Sequence, residues 1–75
     1  MPKEYVIQIL DGETNQIKYF DRIKKYSTTH RVITSLTNMK IYSSRQSAEK
    51  DVELIKGYYY GQLSIEIVDK QLIKP

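Results

Sequence analysis

Residues 43–57 read Ser43-Ser44-Arg45-Gln46-Ser47-Ala48-Glu49-Lys50-Asp51-Val52-Glu53-Leu54-Ile55-Lys56-Gly57. Ala48, Val52 and Ile55 recur at intervals of four and three, and Tyr59 continues the row. That spacing lines one face of an α-helix. Leu54 widens the stripe, and Glu49, Lys50, Asp51, Glu53 and Lys56 cover the opposite side. Ser43 stands as N-cap with Gln46 three residues later, the spacing of a capping box. Gly57 supplies the residue type that ends helices. A helix with one apolar stripe must lay it against another element.

The neighbours supply that element. Tyr5-Val6-Ile7-Gln8-Ile9-Leu10 reads as a strand, with Tyr5, Ile7 and Ile9 on one face. Asp11-Gly12 is a turn signal, because both residue types tolerate positive φ. Ile17-Lys18-Tyr19-Phe20 reads as the second strand of a hairpin. Lys24-Lys25 and Ser27-Thr28-Thr29 look like an exposed connection. Arg31 to Leu36 is β-branched and loosely alternating, a third strand. Met39 to Tyr42 is a short extended lead into the helix. Residues 62–68 form the last strand, Leu63, Ile65 and Ile67 alternating with Ser64, Glu66 and Val68. The expected fold is α+β, a small, mainly antiparallel sheet in the order β-β-β-α-β with one amphipathic helix on one face. The whole chain, 1–75, is one domain, with 69–75 as a loose tail.

Composition excludes much chemistry. The 75 residues contain no cysteine and one histidine. Disulfides, thiol nucleophiles, iron–sulfur clusters and multi-histidine metal sites are therefore out. The N-terminus lacks the apolar stretch of a secretory signal, and no apolar run exceeds three residues. A soluble cytoplasmic protein is expected, with no membrane contact. Gly12, Gly57 and Gly61 are too scattered for a phosphate-binding loop. His30 beside Ser27-Thr28-Thr29 has no acid near it in sequence to make a triad, and reads as an exposed loop histidine. Glu49, Asp51 and Glu53 read as a solvated helix face. No catalytic residue, cofactor or metal is expected.

Charge is unevenly spread. Residues 13–45 hold seven bases against two acids, whereas 46–75 hold four bases against five acids. Two surfaces follow. Tyr58-Tyr59-Tyr60, between Gly57 and Gly61, supplies rings of the kind that anchor protein contacts. Tyr59 continues the buried stripe, which leaves Tyr58 and Tyr60 as protein-contact candidates. The second surface is basic. Lys18, Tyr19, Arg22, Lys24, Lys25 and Arg31 combine cations for phosphates with a ring for base stacking. The leading expectation is a non-catalytic protein-binding module that covers a site on a partner protein. The alternative is nucleic-acid binding through the basic segment 18–45. A homodimer would bury the same tyrosines.

The run Met39-Lys40-Ile41-Tyr42-Ser43 before the helix, the opening Tyr5-Val6-Ile7 and the closing Ser64-Ile65-Glu66-Ile67-Val68 carry a resemblance. The chain resembles small, mostly uncharacterised proteins of phages and prophages of low-GC Gram-positive bacteria. Those have an "A-K-x-F-S-x-x-x-A" stretch between an opening hairpin and a helix. Here methionine replaces the first alanine, tyrosine replaces phenylalanine, and Ala48 falls one position late. The resemblance implies a fold and an origin, and no activity. It carries over no functional residue.

Overall fold

The computed structural model describes residues 3–12, 14–58 and 63–73. Strand β1 (Tyr5–Asp11) is the centre of the architecture. It pairs antiparallel with β2 (Ile17–Tyr26) on one side and β4 (Leu63–Asp69) on the other, while β3 (Thr29–Thr34) pairs antiparallel with β2. The sheet order is β3-β2-β1-β4, and helix α1 (Arg45–Tyr58) connects β3 to β4. The expected α+β class and element order are both present.

Burial follows the alternation of β1. Ile7 and Ile9 point to the helix side and join Phe20, Tyr42, Ala48 and Ile55 in one buried cluster. Val6, on the other parity, is also fully buried. Ile65 and Ile67 of β4 and Val52 of α1 pack against the cluster. Leu54, expected to widen the helix stripe, is instead half exposed. It sits on the flank of the row running through Ala48, Val52 and Ile55, and so turns away from the sheet.

Both helix ends differ by one step from the expected ones. The cap is Ser44, not Ser43: its Oγ accepts a hydrogen bond from the Ser47 amide at 3.3 Å. Gly57 lies inside the last turn rather than beyond it. Tyr59, placed by sequence on the buried stripe, lies outside the described residues. Residues 70–73 are folded rather than a loose tail. Lys70–Leu72 form a 3₁₀ turn capped by Asp69, whose carboxylate accepts from the Gln71 amide at 2.9 Å. The Lys70 amide donates to the Glu4 carbonyl at 2.9 Å, tying this turn to the start of β1.

Strand β2 departs most from expectation. Sequence reading ended it at Phe20, but it runs on to Tyr26. Its first part pairs with β1 only from Ile17 to Tyr19. A bulge between Phe20 and Arg22 then shifts the register. One extra residue at a bulge turns the strand and resets which side chains face inward. Phe20 and Ile23 both reach the core, three residues apart instead of two. Where β2 leaves β1, another segment fills in. Tyr5 and Tyr42 exchange two backbone hydrogen bonds of 2.9 and 2.8 Å, and the Lys40 amide donates to the Phe20 carbonyl at 2.9 Å. Residues 40–42 thus satisfy the edge of β1 that the bend exposes. Beyond the bend, β2 and β3 continue as a two-stranded ribbon.

Candidate functional site

The ribbon turns at Ser27-Thr28, with Tyr26 paired to Thr29. Ser27 adopts φ of 50°, a sign that the first central residue of a tight two-residue hairpin turn needs. The Thr29 hydroxyl donates to the Tyr26 carbonyl at 3.1 Å and closes the turn. Residues 24–29, expected as a loose connection with His30 in a loop, are therefore mostly strand. His30 belongs to β3.

Pairing fixes which side chains share a face. Ile23 opposite Val32 packs on the core. The next pair out, Lys24 opposite Arg31, must point the other way. Lys25 opposite His30 returns to the helix side, and Tyr26 opposite Thr29 lies outward again. Arg22, opposite Ile33, shares the outward face. The ring contacts agree with this assignment. Lys24 Nζ sits 5.2 Å from the Tyr26 ring centre, and the Arg31 guanidinium carbon 5.9 Å from it. On the helix side the His30 ring stacks on Tyr58 at 4.8 Å between centres.

Every residue from Lys24 to Arg31 is exposed. A two-stranded ribbon of exposed residues buries little and is held mainly by its ladder, here with the His30–Tyr58 stack on its helix side. The charges make this more pronounced. Segment 17–34 holds five bases against one acid, while the rest of the chain holds seven against eight. Lys24 lies directly opposite Arg31, and like charges in that position repel. Among the described residues, the ion pairs are Lys40–Asp51, Arg45–Glu49, Lys56–Glu53 and Lys70–Glu4. None reaches Arg22, Lys24, Lys25 or Arg31.

Several charged groups elsewhere among the described residues are held by partners, though Lys18, Asp21, Lys50 and Glu66 are not. Asp51 accepts hydrogen bonds from Lys40 Nζ at 2.9 Å and from the Tyr42 hydroxyl. Burial alone would raise the Asp51 carboxyl, but these two donors and the Lys40 charge outweigh it and hold it below its usual range. The Tyr42 phenol is pushed well above its ordinary value, first by burial and then by Asp51, so it stays a neutral donor. This trio fastens residues 40–42 to α1 and lines a shallow open depression with Ser43, Ser47 and Lys50. The concavity between α1 and β4 is lined by Arg45, Glu49, Lys50, Glu53, Lys56 and Glu66 over Val52 and Ile65; Arg45 pairs with Glu49 and Lys56 with Glu53 along the helix, while Lys50 and Glu66 have no ion pair among the described residues. Among the described residues no group of three or more acids, histidines or cysteines is placed to hold a metal ion. No described helix is long and apolar enough to cross a membrane.

The structure thus brings together four of the six basic-segment candidates: Arg22, Lys24 and Arg31 on one face of the ribbon and Lys25 on the other. Lys18 and Tyr19 stand apart, paired with Ile9 and Gln8 before the bend. The ring at the centre of the patch is Tyr26 rather than Tyr19. The near mirror symmetry of Lys24-Lys25-Tyr26 and Thr29-His30-Arg31 about Ser27-Thr28 is the signal that points to it. Of the protein-contact candidates, Tyr58 is at the helix end, 37% exposed and stacked on His30. Tyr60 lies outside the described residues. No family model, curated protein or solved structure matches this chain.

Proposed function

We propose that this protein is a non-catalytic nucleic-acid-binding module whose contact element is the β2–β3 ribbon. The observation that carries the reading is the Lys24–Arg31 cross-strand pair. Two cations face each other on an exposed ribbon, Arg22 joins them on the same face, and among the described residues no carboxylate pairs with any of them. Such an arrangement works against the ladder that holds it, and a polyanion relieves it. Phosphates supply negative charge at regular spacing, and a protein binding them displaces their counterions.

The test is titration of a labelled oligonucleotide at increasing salt. Four phosphate contacts, from Arg22, Lys24, Lys25 and Arg31, predict roughly a 100-fold loss of affinity between 50 and 200 mM salt. The double variant Lys24→Gln/Arg31→Gln should weaken binding and flatten that salt slope by about two units. Binding that ignores salt, or survives the double variant unchanged, sinks the reading.

A second reading is favoured by a different observation. Leu54 and Tyr58 lie four residues apart on α1 and are both exposed, at 50% and 37%. Side chains at that spacing are neighbours on a helix surface. Together they would let a partner protein cover the end of the helix beside the ribbon. A contact of that kind would persist at high salt and be lost in Leu54→Ser/Tyr58→Ser, while Lys24→Gln/Arg31→Gln would leave it intact.

A further inference from the structure

We infer that the polymer is double-stranded DNA, and that the ribbon enters its major groove. This rests on the nucleic-acid reading above and goes on to name its ligand. The first argument is the distribution of cations over two faces. Arg22, Lys24 and Arg31 point outward, while Lys25 points to the opposite side of the same ribbon, beside His30, whose ring stacks on Tyr58 of α1. A single strand crossing one face would leave the other face's charge unused. A groove has a phosphate wall on each side, and a ribbon between the walls presents cations to both.

The second argument is size. Side chains on both faces make a ribbon roughly 10 Å thick, the spacing of packed sheets. The major groove of B-form DNA is about 12 Å wide and about 8.5 Å deep, and admits a two-stranded ribbon. The exposed part, Lys24 to Arg31, has three residues on each strand, closed by the Ser27-Thr28 turn. At about 3.3 Å per residue the strands reach about 10 Å, enough to span that depth. The major groove of A-form RNA is deep and too narrow for such an element.

The third argument is the scarcity of free rings. Single-strand binders stack successive bases on successive aromatic side chains. On the exposed outer face of the ribbon Tyr26 is the one aromatic, and Lys24 and Arg31 already lie over its ring. At the tip stand Ser27, Thr28 and Thr29, hydroxyls that accept from or donate to the edges of any base pair. Broad sequence tolerance follows.

Competition in one titration series decides this. The probes are a 20-base-pair DNA duplex, one of its strands alone, and an RNA duplex of the same sequence, at 100 mM salt. The DNA duplex should bind at least about 10-fold more tightly than either competitor. Equal or tighter binding of the single strand or the RNA duplex overturns the groove assignment and leaves nucleic-acid binding standing. Failure to bind any of the three overturns both. The groove is tested with duplex methylated at guanine N7 and with a minor-groove ligand as competitor. Methylation should weaken binding and the minor-groove ligand should leave it unchanged; any other pattern rejects the major groove. Finally, Lys24→Gln and Lys25→Gln, on opposite faces, should each lower duplex affinity several-fold with an unchanged far-ultraviolet spectrum. An effect confined to Lys24→Gln would show that only one face is used.

Discussion

The two halves of β2 are one continuous strand in two opposite physical situations. Before the bulge, Phe20 is buried to within 2%, Ile17 to Tyr19 pair with β1, and the Tyr19 and Phe20 carbonyls accept from the Ser35 and Lys40 amides. After it, Lys24, Lys25 and Tyr26 are exposed and pair with β3, which touches α1 through the stack of His30 on Tyr58. The body around Phe20 is held by apolar burial with its charges paired or solvated. The ribbon beyond holds unpaired cations and little buried surface. The comparison teaches where stability resides. Stability belongs to β1, α1 and the first half of β2; in the proposed reading the ribbon gives up local stability for a charged surface that a partner would use.

The largest test of that division is a cavity in the body. Ile55 has no exposed surface and packs in the cluster with Ile7 and Phe20. Ile55→Ala should cost about 3 kcal/mol, from lost transfer energy and the space left behind. For a domain of this size that is a large share of the whole, and the melting temperature should fall by about 15 °C. Calorimetry reads this directly. A fall of only one or two degrees would mean that the body is not the seat of stability.

Next is the polar fastening of residues 40–42 to the helix. Asp51→Asn keeps the shape but removes the charge that Lys40 and Tyr42 address. It should cost about 2 kcal/mol, in the range for hydrogen bonds to a charged group. Asp51 is held below its usual pKa in the fold. Its contribution is therefore present above the unfolded value of about 4 and is lost as pH falls through the folded value. Urea midpoints across pH 2 to 7 should show wild type losing more stability than the Asn variant on acidification. Parallel curves would remove Asp51 from the account.

The same division governs what was legible in the sequence. Burial imprints a period, and where a face is buried the reading succeeded: Ile7 and Ile9 in β1, Ile65 and Ile67 in β4, Ala48, Val52 and Ile55 in α1. The far half of β2 has no buried face past Ile23, so no alternation marks it as a strand. The bulge adds to this, since Phe20 and Ile23 stand at a spacing that no regular strand gives. The turn at Ser27-Thr28 was hidden for a chemical reason. Neither residue is the glycine or asparagine that usually supplies positive φ. The basic residues of the site were visible as composition, but the pairing of Lys24 with Arg31 needed that turn to be placed. The central place of Tyr26 needed it too.

The turn itself gives a smaller test. Ser27 holds φ of 50°, where a side chain costs about 1 kcal/mol and glycine costs nothing sterically. Ser27→Gly loosens the unfolded chain, which offsets part of the relief. The net should be a gain of about 0.5 kcal/mol. Amide exchange at Tyr26 and Thr29 should slow, while exchange in β1 stays as it was. Faster exchange at the tip would show that Ser27 is not strained there.

The smallest effect on stability discriminates best between the two regions. Arg31→Glu converts the repelling pair with Lys24 into an attracting one, at an exposed position. Exposed cross-strand charge pairs are worth a few tenths of a kcal/mol, so the variant should be slightly more stable than wild type. It should also bind the DNA duplex at least about 10-fold more weakly, because a cation near the phosphates has become an anion. The two changes run in opposite directions, which no general loss of folding can produce. Were Arg31 there to hold the ribbon together, stability and binding would fall together. Opposite signs in one variant would mean that the ribbon keeps its charges for a partner at the expense of its own ladder.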